Sequence, residues 1–173
     1  MIENKPAFLD QPDRMVCPEC GAAVDGGRAG CQAVWDELAA RAYQNPAYAS
    51  SYNLAFDTYC MQHPAKYCRS AKSYAAHLTR LCCGIEFNGD PDLYAAIQKW
   101  LNGSTPVEKP PLLARRGSLT VVELRSAANA AEYRVQVQVW AKNVWAAYAS
   151  QHDLARRWIE TARQVYAKKE NTR

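Results

Sequence analysis

No run of apolar residues in this chain approaches the roughly 18 needed to cross a membrane. The first residues, Met1-Ile2-Glu3-Asn4-Lys5, lack the basic-then-apolar order of a secretory signal. The expectation is a cytoplasmic protein with no membrane partner. There is no Gly-rich phosphate loop, G-x-S-x-G elbow, H-E-x-x-H pair or dinucleotide fingerprint, so the usual nucleotide, hydrolase and metalloprotease templates are excluded. The zinc deaminase pattern is also missing, since Val16 rather than proline precedes Cys17 and no histidine is followed two residues later by glutamate. Nor is there a large excess of charge: the net value is +4, and the basic residues are spread along the chain apart from Arg115-Arg116, Arg156-Arg157 and Lys168-Lys169. That pattern reads as a solvated face rather than a nucleic-acid footprint.

Cysteine, by contrast, is plentiful. The seven residues at 17, 20, 31, 60, 68, 82 and 83 are odd in number and partly adjacent, which fits thiols in a reducing compartment better than a disulfide framework. Cys17-Pro-Glu-Cys20-Gly21 is a knuckle that can aim two thiolates at one ion, and Cys31 follows eleven positions after Cys20. Tetrahedral zinc takes four such ligands, so a fourth must come from elsewhere. Cys82-Cys83, in the middle of a helical pattern, reads as core filling.

The periodicity is helical nearly throughout, and 173 residues can bury one sizeable core. Val34, Trp35, Leu38 and Ala42 put one apolar face on a helix from Gln32 to Tyr43. Asn45-Pro46 is a cap followed by a permitted first-turn proline, so a second helix should run from Pro46 to about Gln62 and stop before Pro64. A third is expected near Arg69–Ile85, and a fourth from Asp90-Pro91 to about Asn102-Gly103. Residues 103–117, with Pro106, Pro110 and Pro111, read as an extended strap laid over the domain or a lid. Thr120 and Glu123 match a capping box before a short helix, and Asn129 with Glu132 open a long one running to about Lys168. The fold class is all-α: a helical bundle with an N-terminal zinc-knuckle appendage and a Pro-rich connecting strap. As one domain it divides into an arm at 1–16, the knuckle at 17–31, four helices over 32–102, the strap at 103–117, two helices over 118–168 and a tail at 169–173.

His63, His77 and His152 are the three histidines, and each falls on the apolar stripe of a different helix. Two helices joined by a tight turn at Gln44-Asn45 run antiparallel, so the helix start at Cys31 lies beside the helix end at His63. Cys17, Cys20, Cys31 and His63 are therefore the expected zinc ligands, with Cys60, Cys68 and His77 as competitors for the fourth place. His77 and His152 are expected to be buried and to face a common interior space. There they, with Asp57, are the candidate catalytic residues, and Glu86, Tyr59 and Tyr148 are possible partners.

Several short motifs stand together in this chain: the CPxCG knuckle, Gly30-Cys31, Gln62-His63-Pro64, Ala76-His77-Leu78, Arg116-Gly117-x-Leu119-Thr120, and Trp140-Ala141-x-x-Val144-Trp145-x-x-Tyr148 leading to His152. In combination, from about residue 17 to residue 159, the chain resembles a family of small, uncharacterised bacterial proteins. The resemblance implies a bacterial origin, a compact single domain and weight on the quoted cysteines and histidines; it implies no activity. Two functional readings follow. One is a zinc-stabilised helical protein that binds a protein or small molecule, and the other is a metal-dependent or acid-base enzyme of accessory or secondary metabolism.

Overall fold

The computed structural model describes residues 16–170, so the expected arm at 1–16 and tail at 169–173 fall largely outside the described residues. It is helical, and among the described residues the one β-type pairing is an isolated antiparallel bridge between Val16 and Ala23. The first helix, α1 (Arg28–Gln44), buries Cys31, Val34, Trp35, Leu38 and Ala42, the stripe expected from its spacing. It ends at Asn45, whose side chain accepts from Ala47 N–H and caps the one-turn helix α2 (Pro46–Ala49).

The helix expected over Pro46–Gln62 is interrupted. Ser50 and Ser51 separate α2 from α3 (Tyr52–Gln62), and proline at position 64 then starts another single turn, α4 (Pro64–Tyr67). A Ser70/Ser73 capping box opens α5 (Ala71–Glu86), and the Asp90 carboxylate caps α6 (Pro91–Leu101). The Thr120–Glu123 box caps a 3-10 turn at Val121–Ser126 rather than an α-helix.

A single long helix over 130–168 is corrected by the structure to two. Asn129 caps α7 (Ala130–Ala147); a 3-10 turn at Ala149–Gln151 follows, and then α8 (His152–Glu170). The break has a visible cause. The Tyr148 hydroxyl is buried and donates to the Met61 carbonyl oxygen at 2.6 Å, while the Trp145 carbonyl accepts from Tyr148 N–H at 2.9 Å and from His152 Nε2 at 2.9 Å. The His152 side chain thus takes a carbonyl that a continuous helix would use internally.

α3 and α5 form the centre. α3 packs on α1, α5 and α7, and α8 packs on α5 and α6. Trp100, Trp140, Tyr59, Tyr74, Tyr133 and Tyr148 are fully buried. Residues 104–117 carry no helix and run as extended chain. Gln151 holds the Pro111 carbonyl at 3.3 Å, and Lys109 reaches the Cys68 carbonyl. The far end of this segment is clasped more tightly. Buried Gln62 donates to the carbonyls of Arg116 and Leu119 at 3.1 and 2.8 Å, while the Asn143 side-chain oxygen accepts from the N–H groups of Ser118 and Leu119 at 2.8 and 2.9 Å. Gly117 has φ 106°, and a Cβ there would come within 2.7 Å of that Asn143 oxygen, so the clasp admits no side chain at this position.

Candidate metal centre

The knuckle is built by its backbone. Cys17 N–H donates to Ala22 O at 2.8 Å, Gly21 N–H returns to Cys17 O at 2.9 Å, and Gly21 takes φ 81°, a left-handed conformation that favours glycine. The chain then turns through Gly26 and Gly27 into α1, where the Asp25 carbonyl oxygen lies against Gly30 so closely that a Cβ would collide with it. That contact seats the knuckle on the first turn of α1 and brings Cys31 to it. From the other side arrives His63, which ends α3.

Together these place four soft or borderline donors in one cluster. The sulfurs of Cys17, Cys20 and Cys31 and a ring nitrogen of His63 all lie within 4.8 Å of one another. Cys20 Sγ is 3.6 Å from Cys31 Sγ, and His63 Nε2 is 3.6 Å from Cys17 Sγ and 3.4 Å from Cys31 Sγ. A tetrahedral ion with bonds of about 2.3 Å to sulfur and about 2.0 Å to nitrogen needs ligand-to-ligand edges of roughly 3.5–3.8 Å. These three edges, at 3.4–3.6 Å, fit that requirement. Cys17, Cys31 and His63 are buried, and Cys20 is partly exposed.

The surroundings prepare the imidazole. His63 Nδ1 lies 2.8 Å from the Tyr59 carbonyl oxygen; a carbonyl can only accept, so Nδ1 carries the proton and Nε2 presents its lone pair to the cysteines. The ring stacks on Tyr59 at 4.0 Å between centroids, and Tyr59 stacks in turn on Trp35 at 4.8 Å. The Tyr59 hydroxyl is 3.9 Å from Cys31 Sγ. Glu19, at the knuckle tip, binds the Ala65 N–H at the start of α4 and pairs with Arg28 at 3.3 Å, while its carbonyl accepts from Arg116 at 2.9 Å. The Cys20 thiol is pushed up to about 12, first by its hydrogen bond with Cys31 and then by burial, against a lowering influence of His63. Positive charge at the centre of the cluster would reverse that balance, since thiolates are the ligating form.

The competitors for the fourth ligand lie apart from this cluster. Cys60 and Cys68 are fully buried, with Cys68 Sγ 3.7 Å from the Cys60 carbonyl, and burial pushes both thiols up, that of Cys68 to about 12. His77 belongs to a different group. Its Nδ1 is 2.9 Å from Asp57, whose other oxygen accepts from Arg80 Nε at 3.0 Å, and Asp57 is completely buried. Cys82 and Cys83 fill core space, with thiols raised by burial to about 12 and about 11.

The expectation that His77 and His152 face a common interior space is not met. His77 packs edge-on to Phe56 beside Asp57 and Arg80, whereas His152 stacks on Trp145 at 3.9 Å between centroids, next to the Glu86–Arg156 ion pair. Both rings are half-buried, and no contact joins them among the described residues. The physical reason is the break at Tyr148: it redirects His152 to the start of α8, where its ring turns back on α7.

Sequence reasoning did not assign a task to Gln62, Glu19 or Arg116. Gln62 accepts from the Trp140 indole at 3.0 Å while clasping Arg116 and Leu119, so three of the short motifs meet one residue before the His63 ligand position. Their place in the motifs that carry the family resemblance was the available signal.

A protein-family model described as a family of unknown function (DUF5946) matches residues 15–149, which takes in every residue of the cluster. No curated protein and no solved structure matches the chain.

Proposed function

Because the chain belongs to this family of unknown function, we propose its role from the site itself: Cys17, Cys20, Cys31 and His63 hold one zinc ion that serves the fold, and the protein acts by binding a protein or small molecule. One observation carries the reading, the closure of the donor set. Three sulfurs and one nitrogen are four protein ligands for a tetrahedral ion, so no coordination position is left for a substrate, which is the mark of a structural rather than a catalytic site. A cysteine-rich tetrahedral set with one imidazole favours zinc over hard cations that prefer oxygen. The ion would join the knuckle to the start of α1 and the end of α3, segments 46 positions apart at their extremes. Seven free thiols, together with the motif resemblance, support a bacterial cytoplasm as the setting.

A second reading, an acid-base enzyme, draws on the Asp57–His77 pair, since a buried carboxylate orienting an imidazole is an arrangement that proton transfer uses. It stands second because Arg80 takes the other Asp57 oxygen and His152 lies elsewhere.

Elemental analysis of purified full-length protein tests the first reading. One equivalent of zinc per chain is expected, with chelation lowering the melting temperature. Protein that is folded and free of zinc would overturn it, and a second, exchangeable metal would turn attention to catalysis. For the second reading, His77→Ala with zinc retained is the informative variant: a large fall in melting temperature assigns His77 to the fold.

A further inference from the structure

The four ligand positions of the metal cluster are not equally protected. Cys17, Cys31 and His63 are 1%, 0% and 3% exposed, whereas Cys20 reaches the surface. The next residue, Gly21, is exposed, and a Cβ there would meet nothing within 4 Å, so the knuckle is open to solvent beside Cys20. The cysteines outside the cluster, at 60, 68, 82 and 83, are each 0% exposed. Burial also pushes all four of those thiols up, which keeps them protonated and inert. A dissolved oxidant therefore meets one sulfur of the seven.

A second observation concerns what lies behind that sulfur. Cys31 Sγ is 3.6 Å from Cys20 Sγ and belongs to the first turn of α1, where it is fully buried. Cys17 Sγ instead lies 3.6 Å from His63 Nε2. Cys20 is carried by a tight turn, and Cys31 by a helix, so the turn is the part that moves when the 3.6 Å gap closes to a bond of about 2.0 Å. An accessible sulfur in front of a protected one is the arrangement in which an oxidised thiol is captured by a resolving thiol.

We propose that Cys20 and Cys31 form a redox-modification site, in which hydrogen peroxide joins them as a disulfide and the metal centre is dismantled. This rests on the reading of the cluster as a zinc site and adds its regulation. Ligation holds Cys20 as a thiolate, the nucleophilic form. Its sulfur attacks one peroxide oxygen; the O–O bond breaks, hydroxide leaves, and Cys20 becomes a sulfenic acid. The Cys31 thiolate then attacks the Cys20 sulfur, forming the S–S bond as the S–O bond breaks and a second hydroxide leaves. Two electrons pass from the sulfur pair to the peroxide, and two solvent protons turn the hydroxides into water. Cys17 and His63 are left as two donors where a tetrahedral ion needs four. The change also reaches past the cluster. Glu19, within the knuckle, holds Ala65 N–H and Arg28 with its carboxylate and Arg116 with its carbonyl, so movement of the turn loosens the start of α4 and the end of the strap.

The test treats zinc-loaded, full-length protein with hydrogen peroxide, reading released zinc with a chromogenic chelator and mapping disulfides by mass spectrometry of alkylated peptides. One equivalent of zinc should leave as the Cys20–Cys31 disulfide forms, and dithiothreitol with added zinc should restore the starting state. Cys20→His keeps four donors without the exposed thiolate and should slow zinc release at least tenfold; if it does not fold, the wild-type disulfide map decides alone. Zinc retained at one equivalent through the treatment overturns the proposal and leaves the structural-metal reading standing. A disulfide between Cys17 and Cys20, or at any other pair, overturns the assignment of Cys31, and release from Cys20→His at the wild-type rate overturns that of Cys20. Folded protein that carries no zinc before treatment overturns this inference and the structural-metal reading together.

Discussion

His63 and His77 both lean on α3, one at its C-terminal end and the other at its middle, and each commits Nδ1 to an acceptor: the Tyr59 carbonyl oxygen at 2.8 Å and the Asp57 carboxylate at 2.9 Å. What lies around them differs. His63 turns Nε2 toward the Cys17 and Cys31 sulfurs, donors that gather round a cation and repel one another as thiolates without it. His77 shares Asp57 with Arg80, so its partner's charge is already matched by a guanidinium. One region is a set of ligands that asks for an ion, and the other is an ion pair complete in itself. The difference shows that a histidine's role is set by what its second nitrogen and its partner's free valences meet, not by burial or by its place on an apolar stripe.

The sharpest way to break the comparison is to remove a donor on one side only. Cys31→Ser should abolish metal binding and leave little folded protein, because metal-binding free energy at such a site is folding free energy, apparent values in small zinc domains being on the order of 10 kcal/mol. Metal content and circular dichroism check this together; native-like melting without metal would show that the bundle does not need the centre.

On the other side, Asp57→Asn strips the charge that His77 and Arg80 share. The cost should be about 2 to 4 kcal/mol, toward the lower part of the range for breaking buried pairs, since His77 and Arg80 both reach solvent. Zinc should stay bound at full stoichiometry. Loss of zinc in this variant would mean that the two regions are coupled.

Gln62→Leu probes the join between the metal end and residues 116–119. It removes two hydrogen bonds to backbone carbonyls and orphans the buried Trp140 indole, a loss of roughly 2 to 3 kcal/mol that a chemical denaturation curve would register. A change under about 0.5 kcal/mol would show that the clasp contributes little.

The smallest effect concerns Glu86, whose carboxyl is held below the usual carboxylate range mainly by hydrogen bonds from Arg156. A carboxylate lowered in the folded state contributes stability that is present above its unfolded value and lost as pH falls through the folded one. Glu86→Gln should therefore make the acid side of the stability profile slightly shallower below about pH 5, with no change near neutrality. Arg156 is solvent-exposed, so the difference is small. Superimposable acid limbs of the two profiles would remove this contribution.

Much of the local structure was legible because its causes are local. The Asn45, Asp90 and Asn129 caps, the prolines behind two of them, and the Thr120–Glu123 box act within a few residues, and each starts a helical turn in the structure. The interruptions at Ser50-Ser51 and Tyr148 were not legible. Helical periodicity runs straight through both, and at Tyr148 the competing partner is the Met61 carbonyl, 87 positions away. The pairing of Asp57 with His77 was hidden for the same reason: apolar stripes say which faces turn inward but not which polar groups on them will meet.

By itself the sequence determined the helical class, most helix starts and the Cys17–Cys20 knuckle, and it pointed to Cys31 and His63 as the knuckle's companions, because these follow from spacing, caps and chain length. Only the tertiary structure decided that Cys60, Cys68 and His77 stand apart from the cluster and that His77 and His152 join different polar groups. Each of these depends on which side chains from distant segments reach one another first. That competition is settled by packing and hydrogen-bond satisfaction across the whole fold, and no local pattern in the chain records its outcome.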